Sequence, residues 1–174
     1  MHIDRIPEWQ LTHADDKAIA DLLSRCFETD FGGRSYFAQR HHLRLITRHN
    51  GQIVGHMALL FRHVRLGDTT FEIVGLAEVA TDPAHRAQGI AAALLQTAIA
   101  TARTTMARHF LLFGTAKLYT AAGFQSVDNP VRYVENHNNC TGKVLQEQGQ
   151  SLMVLPLNGD WDKTATLDLI GGRF

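Results

Sequence analysis

The segment Arg86-Ala87-Gln88-Gly89-Ile90-Ala91 carries the residue types needed to hold a bulky anion. It lies where an apolar run turns at Asp82-Pro83 and gives way to an Ala/Leu-rich stretch with helical spacing. The first N–H groups of a helix have no partners inside the helix. The aligned peptide dipoles add partial positive charge at the same end. Gly89 and Ala91 leave the backbone open to approach, and Arg86 supplies a forked cationic donor. Such a joint is a pyrophosphate cradle. It is neither a Gly-Lys-Ser/Thr loop nor a Gly-x-Gly-x-x-Gly turn. Just upstream, Glu78 interrupts the apolar run Leu76-Ala77-Glu78-Val79. Uncompensated burial of a carboxylate is costly, so Glu78 either pairs with a cation on a solvent face or is held for chemistry. Strand alternation puts Glu78 with Leu76, and Gly75, Ala77 and Val79 on the other face, unless a bulge intervenes.

The elements around this joint follow from periodicity. Residues 6–11 can form a first strand, and Thr12-His13-Ala14-Asp15 reads as a capping box. The helix after it places Ile19, Leu22, Leu23, Cys26 and Phe27 on one face and ends at Asp30-Phe31-Gly32-Gly33. A shorter second helix is expected over 35–42. Strands follow at 43–48, at 52–65 with a break or bulge near Gly55, and at Thr69–Thr81, joined by turns at Asn50-Gly51 and Gly67-Asp68. The helix after Gly89 turns Ile90, Leu94, Leu95, Ala98, Ile99 and Ala102 inward. A buried strand at 110–113, a short helix at 116–122 ended by Gly123, and strands at 131–134 and 152–157 complete the order β-α-α-β-β-β-α-β-α-β-β. The polar link 135–150, with Asn136, Asn138, Asn139, Gly142 and Gly149, is expected to be mobile.

A chain of 174 residues with 45% hydrophobic side chains suits one domain, residues 1–174, with a real core. Lys+Arg and Asp+Glu both number 17, which argues against a nucleic-acid partner held by bulk charge. Cys26 and Cys140 do not make a disulfide framework, and a reducing interior is the default. No run spans a bilayer and no signal-type core follows Met1, so a cytoplasmic protein without a membrane partner is expected. The ten His residues show no zinc-site spacing, and no metal is expected. Trp9 and Trp161 are read as packing residues, with Trp161 also placed to close a substrate pocket.

The Arg86, Gly89 and Ala91 spacing, with its strand before and small-residue helix after, resembles the acyl-CoA-binding motif of the GNAT superfamily of N-acetyltransferases. The element order matches that architecture over most of the chain. The resemblance implies an α/β (α+β) fold with a mixed, mostly antiparallel sheet flanked by helices. Its fourth and fifth strands splay apart as central parallel neighbours around the pantetheine arm. It implies acetyl-CoA as co-substrate and an acetyl group transferred to a primary amine of a small molecule. Arg86, Ala87, Gln88, Gly89, Ile90 and Ala91 would hold the pyrophosphate, with backbone N–H groups of Val79, Ala80 and Thr81 around the thioester. The run Leu118-Tyr119-Thr120-Ala121-Ala122-Gly123-Phe124 is similar to the family's Leu-Tyr-x-x-x-Gly-Phe segment, though Ala116 stands one residue closer than usual. Tyr119 is then the acid for the departing thiolate, the alternative being a packing Tyr. Glu78 is the base for the ammonium, with Glu72 and His63 as alternatives. A homodimer is left open.

Cys26-Phe27-Glu28-Thr29-Asp30-Phe31 is similar to the first-helix exit of aminoglycoside 2′-N-acetyltransferases, and Asp30 and Phe31 are candidate substrate contacts on that basis. Asp30 as a turn acid is the other reading. Val154-Leu155-Pro156-Leu157, Trp161, Leu167-Asp168 and Phe174 resemble the tails of that group and of the rhizobial nodulation-factor acyltransferase. Ser35 and Gly172 replace acids of the aminoglycoside enzymes, and Ala77 stands where their strand glutamate aligns. Two rivals to acetyl transfer remain: transfer of a longer acyl chain, and an acyl-CoA sensor without turnover.

Overall fold

A computed structural model describes residues 1–137 and 140–174. Among the described residues, ten strands and three α-helices form a mixed α+β fold with mostly antiparallel pairing. The chain divides into two compact units, residues 1–60 with 76–101 and residues 61–75 with 102–174. Two long strands run through both: β3 (Gln52–Leu66) and β4 (Thr69–Thr81).

In the first unit, β1 (Asp4–Pro7) and β2 (Leu43–His49) pair antiparallel, and β2 pairs antiparallel with β3. The Asn50-Gly51 turn holds both residues at positive φ, +48° and +80°, which suits a tight hairpin between right-twisted strands. The register shifts by one residue opposite Thr47 and Arg48, next to Gly55, as the break in the strand pattern predicts. A Cβ on Gly55 would come 2.5 Å from Ile90 Cγ2 and 2.9 Å from Leu94 Cδ1. Its absence lets the helix after the cradle, α2 (Ile90–Ala102), lie directly on β3. Helix α1 (His13–Cys26) starts at Thr12, whose Oγ1 accepts from the Asp15 N–H at 3.1 Å. Its inner face, Ile19, Leu22 and Leu23, packs with Phe31, Ile46, Ile53 and Ala80.

In the second unit, which holds only the parts of β3 and β4 within residues 61–75, the strands follow the order β6-β9-β5-β4-β3-β10-β7-β8. These are β5 (His109–Phe113), β6 (Gln125–Ser126), β7 (Pro130–His137), β8 (Cys140–Gln148), β9 (Leu152–Pro156) and β10 (Leu167–Gly172). Helix α3 (Lys117–Ala121) follows β5. The core gathers Val64, Leu66, Phe71, Ile73, Leu111, Val127, Val131, Leu152, Val154, Leu167 and Leu169. Trp161 packs against it edge-on to Phe71 and His109, and its Nε1 donates to Asn129 Oδ1 at 2.8 Å.

Four expectations are corrected. The first strand is Asp4–Pro7, and Glu8–Gln10 forms a 3₁₀ turn rather than its continuation. Residues 35–42 form bends, not a helix, because their polar groups are drawn into contacts with other elements. The link 135–150 is mostly strand: β7 and β8 pair antiparallel from Pro130↔Gln148 to His137↔Cys140, while Asn138 and Asn139 lie outside the described residues. Nearly every β8 side chain is exposed, so backbone pairing forms there without the apolar alternation that marks a half-buried strand. Trp9 is 79% exposed rather than packed. Among the described residues no helix is long and apolar enough to cross a membrane.

Candidate active site

The segment expected to form the cradle follows the end of β4. Asp82 starts a 3₁₀ turn, Pro83–His85, with Oδ1 accepting from the Ala84 N–H at 3.0 Å. Its Oδ2 accepts from Arg25 Nη2 at 2.8 Å, and this guanidinium holds the Asp82 carboxyl below its ordinary range. Arg86, Ala87, Gln88 and Gly89 are all exposed, and α2 begins at Ile90. Gly89 has φ +77°, and a Cβ there would meet nothing within 4 Å. Ala87 has φ +61°, a conformation that disfavours a side chain and is retained where surrounding structure imposes it. The donor-rich backbone is therefore open to a bulky anion, with Arg86 beside it. Cys26 Sγ donates to the Thr81 carbonyl at 3.3 Å, tying the end of α1 to the end of β4.

Glu78 sits in β4, three residues before its end, with φ +51°. A left-handed residue inside a strand breaks the alternation, so the simple two-face pattern does not carry through Glu78. Its side chain is 6% exposed. Oε1 accepts from the Phe37 N–H at 2.7 Å, and Oε2 lies 3.3 Å from Arg44 Nη1. His41 Nε2 lies 3.2 Å from the same oxygen but off the hydrogen-bond axis. Burial pushes the Glu78 carboxyl up to about 7, with Arg44 and the Phe37 N–H opposing the rise and Glu8 reinforcing it.

Behind Glu78 lies a buried polar cluster that strand patterning did not single out. Arg44 is fully buried in β2. Its Nε and Nη2 donate to Glu8 Oε2 and Oε1 at 2.7 and 3.1 Å. Its Nη1 donates to the Ser35 carbonyl at 2.8 Å. Burial works against ionised Glu8, but Arg44 and Arg40 outweigh it and hold the carboxyl below its ordinary range. His56, fully buried in β3, has Nδ1 2.8 Å from the Glu78 carbonyl and Nε2 3.3 Å from Arg44 Nη1. Arg44 can only donate and a carbonyl can only accept, so the ring is the neutral Nδ1–H form. Burial, with Arg44, drives His56 down to about 3, and does the same to His41. The signal for this cluster was a charged and an imidazole side chain within otherwise apolar strands, Arg44 in β2 and His56 in β3.

Tyr119 lies in the second unit, on α3, and is 8% exposed. Its ring packs edge-on to Phe124, and burial raises the phenol above its ordinary range. A Cβ on Gly114 would come 2.9 Å from Tyr119 Cε2, so this glycine makes room for the ring. Asp30 is exposed, and its Oδ1 accepts from the Gly32 N–H at 2.6 Å, the geometry of a turn acid. Phe31 is 6% exposed and meets Phe27 and Phe37 edge-on. His63 and Glu72, the alternative bases, lie 3.2 Å from one another, half or more exposed and one-third exposed respectively.

Comparison with known proteins accords with this geometry. The profile of the Acetyltransferase (GNAT) domain matches residues 10–127. A GNAT family acetyltransferase from Brucella melitensis, solved in complex with acetyl-CoA, is similar at 20% identity over 95% of this chain and 94% of its own, with a TM-score of 0.61. A GNAT family N-acetyltransferase from Escherichia coli, solved in complex with CoA, is similar at 22% identity over 96% and 88%, with a TM-score of 0.64. The ribosomal-protein-S18-alanine N-acetyltransferase of Escherichia coli is similar at 16% identity over 92% and 97%, with a TM-score of 0.61. These likenesses are of fold, while the profile match runs over more than half of the sequence and takes in α1, Glu78, the cradle and Tyr119. The chain belongs to the GNAT family of acetyltransferases.

Proposed function

We propose that the protein transfers an acetyl group from acetyl-CoA to a primary amine of a small molecule. The observation that carries this reading is the pairing, along one stretch of β4 and α2, of a buried Glu78 carboxyl pushed up to about 7 with an exposed, sterically open backbone at the start of α2. The two solved relatives named above with acetyl-CoA or CoA support the choice of donor. Acetyl-CoA supplies the acetyl group as an activated thioester. Arg86 and the backbone N–H groups of Ala87, Gln88, Gly89, Ile90 and Ala91 bind its pyrophosphate, and N–H groups of Val79, Ala80 and Thr81 steady the developing oxyanion.

An alkyl ammonium has no free lone pair and must lose a proton before it attacks. Glu78 takes that proton, since a carboxyl near 7 is largely ionised just above neutral pH yet basic enough to accept it. The amine nitrogen then bonds to the thioester carbonyl, the C–S bond breaks as Tyr119 gives its phenolic proton to the departing sulfur, and the second proton lost by the nitrogen restores the phenol. Asp30, exposed in the turn after α1 with Oδ1 bonded to the Gly32 N–H, attracts the cationic amine through the negative charge of its carboxylate. Thiol release measured with acetyl-CoA and a panel of primary amines tests the reading. Amine-dependent release is expected. Tight acetyl-CoA binding with no release on any amine would make the protein a sensor instead. Faster turnover with a longer acyl-CoA in competition would replace acetyl as the group transferred.

A further inference from the structure

Arg44 is a permanent positive charge with no access to water, touching the carboxyl of Glu78 at 3.3 Å. Alone, such a neighbour would keep a carboxylate ionised far into acid and make it a poor proton acceptor at neutral pH. The surrounding geometry prevents this. Two of the three guanidinium nitrogens face Glu8, at 2.7 and 3.1 Å, in the bidentate arrangement that neutralises an arginine most fully. The third is shared between the Ser35 carbonyl at 2.8 Å, His56 Nε2 at 3.3 Å and Glu78 Oε2 at 3.3 Å. Glu78 receives one long contact from a charge already spent on another carboxylate.

We propose that Arg44 and Glu8 are positioning residues for Glu78: Arg44 fixes the carboxyl through Oε2, and Glu8 takes up the Arg44 charge so that the carboxyl remains able to accept a proton. The inference rests on Glu78 acting as the base. Four groups bear on Glu78 from the elements packed around it. Arg44 comes from β2, Glu8 from the 3₁₀ turn after β1, His56 from β3, and His41 from the bends before β2. Both imidazoles face it as neutral rings, which leaves Arg44 and Glu8 as its charged neighbours. Glu8 is itself backed by Arg40, which also bonds both Asp16 oxygens at 3.1 Å. This second pair holds the Glu8 carboxylate where it can meet Arg44.

The two neighbours act on Glu78 with opposite signs, and that separates positioning from mere structural support. The test is the acidic limb of the pH–rate profile of the full chain, per folded molecule, with acetyl-CoA and the best amine of the panel. Glu8→Gln leaves the Arg44 charge uncompensated, so the limb moves about one pH unit toward acid. Arg44→Met removes the cation, so the limb moves about one pH unit toward alkali. A purely structural pair would instead lower the folded fraction in both variants and leave the limb in place. Should a single variant fail to fold, the double variant Glu8→Gln/Arg44→Met carries the test, because removing both halves of a buried pair is often tolerated. Its limb moves toward alkali, Arg44 being the nearer of the two charges. A limb that stays still, or moves the same way in both single variants, overturns the inference. Glu78→Gln serves as the separate control. If it keeps the wild-type limb, Glu78 is not the base, and the failure belongs to that assignment rather than to the Arg44–Glu8 pair.

Discussion

Replacing Glu78 with Gln should change both the stability and the rate of this protein, in pH windows that follow from one number. Burial raises the Glu78 carboxyl from 4.5 to about 7. The folded protein therefore holds a proton there that the unfolded chain has already released. A group raised on folding contributes stability that is present below its unfolded value and lost as pH climbs through its folded one. For Glu78 the window is 4.5 to about 7. At about 1.4 kcal/mol per pH unit, the loss across it is about 3 kcal/mol. His41 and His56 pull the other way: driven down to about 3, they stabilise the fold above their ordinary value of 6.5 and lose that contribution as pH falls. Both are present in wild type and variant and titrate in the opposite sense, so the sign of the pH-dependent difference in unfolding free energy reports Glu78. Denaturant titrations at pH 4, 6 and 8 should show wild type losing about 3 kcal/mol relative to Glu78→Gln between the extremes. In the same preparations, kcat/KM of wild type should fall about tenfold per pH unit below about 7. The variant should lose roughly 100-fold of its rate at pH 8 together with that limb. A limb that persists in the variant belongs to the amine. A stability difference flat with pH would refute the account of a carboxyl strained by burial.

Gly89→Glu should abolish protection of the fold by acetyl-CoA while the protein stays folded: at φ +77° the new side chain costs about 1–2 kcal/mol of backbone strain, but it enters open space. Thermal melts with and without ligand read both outcomes, and an undiminished ligand shift would remove the cradle from the binding site. Tyr119→Phe should lower kcat with the acetyl-CoA affinity nearly unchanged, because the lost hydroxyl acts on the leaving sulfur; unchanged kcat, where chemistry limits the rate, takes Tyr119 out of the acid role. Gly114→Ala should push the Tyr119 ring aside through a 2.9 Å contact. It should cost about 1–3 kcal/mol in stability, and kcat should fall with it. Wild-type denaturation and turnover in that variant would show that the ring position is not critical.

Local chemistry was legible before any coordinates. Thr12 and Asp15 marked the start of α1, Asn50-Gly51 marked the β2–β3 hairpin, and the small-residue run after Gly89 marked α2. These depend on backbone conformation and on unpaired N–H groups, which a few neighbouring residues set by themselves. Glu78 could be recognised as anomalous in an apolar strand, but its direction could not be read. A residue at φ +51° cancels the alternation on which strand reading rests. Residues 35–42 form bends rather than the expected short helix, because Ser35 and Arg40 bond Asp16 and the Phe37 N–H bonds Glu78. Strand β8 has no apolar alternation, so only its pairing partner reveals it. The cluster around Arg44 is the clearest case. Glu8, Arg44, His56 and Glu78 come from four elements, and no spacing in the sequence relates them. What makes them a unit is desolvation: in water each would be an ordinary side chain, and only packing that excludes water turns their few contacts into a control on the charge of one carboxyl.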